Sequence, residues 1–94
     1  MDPELQSFYN DVLYCLVKYG GLTRELAGKI VADSKLFEFD SPNEREMLFH
    51  ELPYYWAMQL LYGKEFPEWH EDPELWPPPQ DYLDHLKREG ERQA

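Results

Sequence analysis

Asp2-Pro3-Glu4-Leu5-Gln6-Ser7-Phe8-Tyr9-Asn10-Asp11-Val12-Leu13-Tyr14-Cys15-Leu16-Val17-Lys18-Tyr19-Gly20-Gly21 is the stretch that decides the fold class. Asp2 is a cap residue and Pro3 suits the first helical position, where its missing N–H costs nothing. Leu5, Phe8, Tyr9, Val12, Leu13, Leu16 and Val17 then recur with the i, i+3, i+4 rhythm that lays one apolar stripe along a helix. Gly20-Gly21 stops it. Apolar residues alternate with a period of two over no useful length of the chain, so the sequence predicts an all-α protein.

Outward from that helix, Thr23 reads as the cap of a second one, with Leu26, Ala27, Ile30 and Val31 as its stripe. It fades at Asp33-Ser34, and Leu36, Phe37 and Phe39 carry apolar bulk onward. Ser41-Pro42-Asn43-Glu44 has the spacing of a capping box, in which the serine oxygen and the glutamate carboxylate each take up a free amide at a helix start. The third helix therefore begins at Pro42 and carries Met47, Leu48, Phe49 and Leu52. Pro53 removes an amide donor and crowds the preceding turn, so this helix is kinked or split there. From Tyr54 to Tyr62 the pattern is apolar nearly all round, as in a helix covered on more than one side. Trp56 and one of Tyr54 or Tyr55 are assigned to the core.

Residues 63–79 read as an extended strap, since the five prolines among residues 67–79 forbid regular helix. Phe66, Trp69, Leu75 and Trp76 are placed to tie it across the helices. A short last helix runs from about Gln80 to Arg88 with Tyr82, Leu83 and Leu86 inward, Gly90 ending it and residues 91–94 frayed. The whole is a small single-domain helical bundle over 1–94: three main helices, the third kinked or split at Pro53, a strap and a short C-terminal helix.

Charge is distributed unevenly. Residues 1–37 carry five acids and four bases, residues 85–94 are close to neutral, and residues 38–84 carry twelve acids opposed only by Arg45 and Lys64. All three tryptophans, Trp56, Trp69 and Trp76, lie in that acidic block. A field of one sign set with large aromatics suits a basic protein partner and repels nucleic acid. Gly21-Leu22-Thr23-Arg24-Glu25-Leu26-Ala27 has the look of an entry to a helix-turn-helix, but the next helix carries Glu44, Glu46 and Glu51 where phosphate contact needs bases. With one cysteine, no internal disulfide can form, and a cytoplasmic setting is the expectation. The N-terminus lacks the basic stretch and apolar run of a signal peptide, and no apolar run approaches membrane-spanning length, so no membrane is expected.

Motifs for chemistry are sparse. His50-Glu51 starts like a zinc-protease motif, but Tyr54 stands where the second histidine belongs and Pro53 interrupts the helix. Glu46 with His50, and Asp81 with His85, are each one helical turn apart and read first as exposed pairs. His70-Glu71-Asp72, near Glu68 and Glu74, lacks the glycine that a calcium loop needs at its sharp turn. Cys15 lies beside the apolar stripe and reads as a half-buried, inert thiol. Trp76-Pro77-Pro78-Pro79 serves as a stiff connector or a short polyproline segment. No catalytic residue, resident metal or cofactor is assigned, and enzyme is the minority reading.

The leading expectation is a non-catalytic module that covers a basic surface on another protein, as inhibitors of nucleases and immunity proteins do. In size, acidity and helicity alone, with no shared motif, the chain is similar to the colicin DNase immunity proteins. Expected partner contacts are Glu44, Glu46 and Glu51 on the third helix and Glu68, Glu71, Asp72 and Glu74 in the strap, with Tyr55, Trp69 and Trp76 as aromatic contacts. The alternatives are a self-associating homodimer with a structural role, or a metal-binding enzyme or carrier built on His50, His70 and His85.

Overall fold

The computed structural model describes residues 3–63 and 68–93, the last four of these by their backbone alone. Five α-helices are found among them and no strand: α1 (Pro3–Gly20), α2 (Arg24–Ser34), α3 (Pro42–Phe49), α4 (Pro53–Tyr62) and α5 (Gln80–Gln93), with a 3-10 turn at Trp69–Glu71 ahead of α5. None is long and apolar enough to cross a membrane.

Local chemistry sets most of the helix ends. Pro3 opens α1, and Gly21 closes it with φ of 69°, in the left-handed region that glycine adopts without penalty. Thr23 caps α2 as expected, its hydroxyl accepting from the Leu26 amide at 3.1 Å. Ser41 precedes α3 in extended backbone, but its side chain makes no cap bond. The Glu44 carboxylate instead accepts from the Asp40 amide, one residue ahead of the capping-box position. At Pro53 the helix is split rather than kinked: α3 ends at Phe49, and Pro53 starts α4 afresh. Asp2 lies outside the described residues, as does part of the strap.

α1 is the hub, packed against α4 and α2, while α4 also meets α2 and the 3-10 turn. Val12, Leu13, Cys15 and Leu16 of α1, Ala27 and Val31 of α2, and Tyr54, Ala57 and Met58 of α4 form one core with Trp69 and Tyr82. Burying each of the larger aliphatic side chains among them, Val12, Leu13, Leu16, Val31 and Met58, contributes on the order of 1.5–3 kcal/mol. The all-round apolar character of α4 is thereby accounted for: α1 covers one side, the strap another.

Polar atoms on the buried aromatics hold the strap and α5 to this core. Tyr54 donates its hydroxyl to the Leu75 carbonyl at 2.6 Å, and Tyr82 accepts from the Tyr54 amide at 3.3 Å. That amide sits in the first turn of α4, where no carbonyl of the helix reaches it. Trp56 donates to the Leu48 carbonyl at 2.8 Å, joining α4 to α3.

Three sequence expectations are corrected. Leu26 and Leu83, placed inward on their stripes, are 44% and 38% exposed, because the buried positions of their helices are Ala27 and Val31 in α2 and Tyr82 in α5, which leaves Leu26 and Leu83 at the stripe edge. α5 does not stop at Gly90 but runs to Gln93, so residues 91–93 are helical, not frayed. A helical glycine costs only about 1 kcal/mol relative to alanine, less than the hydrogen bonds that carry the helix onward. Trp69 is interior, with 1% of its surface exposed, which removes it from the protruding contacts.

Candidate functional site

The strap carries a concave acidic surface. Its 3-10 turn brings Trp69 under the chain, where the indole N–H donates to Gln59 Oε1 of α4 at 2.8 Å. Asp72 then bends the backbone, with its Oδ1 accepting from the Glu74 amide at 2.9 Å. Together these turns place Glu68, Asp72 and Glu74 on the lining of one cavity of about 310 Å³, with Tyr62, Trp69 and Leu75 as its apolar part. Glu68, Asp72 and Glu74 are all exposed, as is the neighbouring Glu71.

A ring cluster stands behind this cavity. Tyr55 is half-buried, its centroid 5.3 Å from both Trp56 and Trp69 and 6.2 Å from Trp76. Trp76 is likewise half-buried, 5.9 Å from Trp69. Trp69, expected with Tyr55 as an anchor, and Trp76, expected as a further aromatic contact, are thus packed on each other. Trp69 is the floor of the site.

The remaining predicted contacts lie apart from the strap cavity. Glu44 and Glu46 are exposed and Glu51 is half-buried. Glu44, with Glu38, lines a second groove of about 300 Å³ in which Leu36, Phe39 and the 67% exposed Met47 supply apolar surface.

The histidines are not brought together. His50 and His70 are exposed and belong to no group of potential metal ligands among the described residues. His85 stands between α5 and α1 and faces Asp11 and Glu89, neither of which was singled out in the sequence. Its Nε2 lies 3.3 Å from Glu89 Oε1 and 3.7 Å from Asp11 Oδ1. Tyr14 stacks on the imidazole with centroids 4.3 Å apart and an interplanar angle of 9°. Burial, reinforced by the adjacent Glu89 carboxylate, pushes the Asp11 carboxyl up to about 6. Asp81, the sequence neighbour expected to pair with His85, pairs instead with Lys18 at 2.6 Å.

The signal for this cluster was half present. His85 and Glu89 are one helical turn apart, so their side chains share a face of α5. Asp11 joins them only through the packing of α1 on α5. Cys15 has no exposed surface, and burial pushes its thiol well above the ordinary range, which leaves it protonated and unreactive.

No protein-family model, curated protein or solved structure matches the chain.

Proposed function

We propose that the protein is a non-catalytic interaction module whose acidic middle, residues 38–84, covers a basic surface of another protein. The observation that carries this reading is the convergence of Glu68, Asp72 and Glu74 on a cavity floored by Tyr62, Trp69 and Leu75. A lysine or arginine is amphipathic: its stem packs on apolar surface while its head seeks carboxylates. An aromatic and aliphatic floor under a rim of three carboxylates offers both halves. Trp69, 1% exposed and held by Gln59, keeps that floor rigid and spares the ordering entropy of a flexible one.

The surrounding charge acts at longer range. Glu71 beside the cavity and Glu44 and Glu46 on α3 extend the negative field, which speeds encounter with a cationic surface and disfavours anionic ones. Because these carboxylates are exposed, pairing them desolvates less than burying new charges would. The corresponding prediction is an association rate that falls as salt rises. We place this activity in the cytoplasm, where a lone thiol stays reduced.

The test compares the wild-type chain with a variant carrying Glu68→Gln, Glu71→Gln, Asp72→Asn and Glu74→Gln. Both are immobilised and exposed to lysate of the source organism at low and moderate salt. A basic protein retained by the wild type, released by salt and bound at least tenfold more weakly by the amide variant supports the reading. Equal retention by a variant whose circular dichroism is unchanged overturns it.

A further inference from the structure

We infer that Asp11, His85 and Glu89 form a binding site for one divalent transition-metal ion of the zinc class, with a remaining coordination position open to water. The site is separate from the acidic strap and does not rest on the protein-binding reading.

Geometry argues for it first. A carboxylate oxygen and an imidazole nitrogen bound to zinc at about 2.0–2.2 Å, at a tetrahedral angle, stand about 3.3–3.6 Å apart. His85 Nε2 is 3.3 Å from Glu89 Oε1 and 3.7 Å from Asp11 Oδ1, and the three ligand atoms all lie within 4.8 Å of one another. A simple His–carboxylate ion pair would draw one oxygen to the 2.7–2.9 Å of a charge-assisted hydrogen bond. Here Nε2 is shut from solvent yet makes no hydrogen bond, and it faces both carboxylates at the separation of ligands about a shared cation.

The surroundings hold the donors in place. The Tyr14 ring, stacked on the imidazole, fixes its plane so that Nε2 points between the two carboxylates. Glu89 follows from the same face of α5 one turn later. Asp11 and Glu89 approach each other as like charges, a repulsion that a cation between them relieves. Asp11 also lines a cavity of about 430 Å³ with Ser7, Phe8 and Leu86, so the site has solvent-sized space on its Asp11 side. One imidazole with two carboxylates selects for zinc, cobalt or manganese over calcium and magnesium, which are served by oxygen ligands alone.

The experiment is titration of the chelator-stripped full chain with Zn2+ alone, followed by calorimetry, with Co2+ absorption reporting the ligand set. The result expected is one equivalent bound, with affinity at least tenfold lower in His85→Gln, Asp11→Asn and Glu89→Gln. A double variant His50→Gln, His70→Gln should bind as the wild type does. Circular dichroism of each variant identifies any that fails to fold, and Glu89→Gln, at the margin of the core, then stands in. Absence of binding, affinity unchanged by His85→Gln and Glu89→Gln, loss of binding in the His50/His70 variant, or a preference for Ca2+ or Mg2+ over Zn2+ would overturn the assignment.

Discussion

The Trp69 indole donates to Gln59 Oε1 at 2.8 Å, so the strap is hydrogen-bonded to α4 by a side chain that is itself 1% exposed. The bond does two things. It satisfies a donor that would otherwise be buried unpaired, and it sets the height of the floor beneath Glu68, Asp72 and Glu74.

Gln59→Leu should therefore destabilise the protein by roughly 1–3 kcal/mol, the cost of leaving a buried donor unmatched. Trp69→Phe removes the donor but opens space, and should cost about as much. In the double variant neither polar partner is left behind, so its cost should be less than the sum of the two. Urea midpoints for the four proteins check this, and strict additivity would mean that the bond is not formed.

The acidic rim makes the opposite kind of prediction. Glu68, Asp72 and Glu74 share one cavity lining, where their mutual repulsion opposes folding. Replacing all three by amides should leave stability unchanged or raise it by about 0.5 kcal/mol at low salt, the scale of exposed charge pairs. Asparagine at position 72 keeps an oxygen for the Glu74 amide. Added salt should erase the difference, and a clear loss of stability in thermal melts would show that these carboxylates serve the fold.

The two serine and threonine caps separate what local sequence can tell from what it cannot. Thr23→Ala should cost about 1 kcal/mol, since its hydroxyl holds the Leu26 amide. Ser41→Ala should cost only a few tenths, because that side chain makes no cap bond. Chemical denaturation of the two single variants distinguishes them, and equal costs would restore the capping box read from Ser41-Pro42-Asn43-Glu44.

That contrast holds for the chain as a whole. Pro3, Gly21, Thr23 and Pro53 act through their own backbone or the next turn, so the ends they set were legible without the fold. Leu26 and Leu83 satisfy the helical period yet face solvent, because the edge of a stripe is settled by how far the neighbouring helix reaches. Trp69 was ambiguous for a similar reason: a strap without periodicity has no inward face until something covers it. Of the two candidate sites, the strap carboxylates were legible from composition, being close in sequence. The His85 cluster was not, because Asp11 reaches it from the other end of the chain, and an acid on the flank of an apolar stripe looks like any solvated one.

Cys15 should report global opening. With no exposed surface and a thiol held protonated, it should react with a thiol reagent only when α1 separates from its neighbours. Under conditions of fast opening and closing, the labelling rate should track the unfolding equilibrium across a denaturant series. Fast labelling in water would place Cys15 in a locally opening segment instead.

Asp11 should make the stability of the metal-free protein fall as pH rises from mildly acidic to neutral. Its carboxyl, ordinarily titrating at 3.8, is raised to about 6 in the fold by burial and by Glu89, with His85 opposing both from the same face of α5. Between those two values the native state holds more protons than the unfolded chain, so the slope of unfolding free energy with pH is negative. The contribution is complete below about pH 4, is lost as pH rises through about 6, and is flat above that. Each unit of difference is worth about 1.4 kcal/mol, and partial hydration of a half-buried group brings the net to the order of 1–2 kcal/mol. Asp11→Asn cannot ionise, so it should be more stable than the wild type at pH 7 by that amount and equal to it at pH 4. Urea midpoints of the two proteins in chelator across this range test the sign directly. A difference that grows toward acid pH would mean that the carboxylate, not the carboxylic acid, is the form the fold prefers.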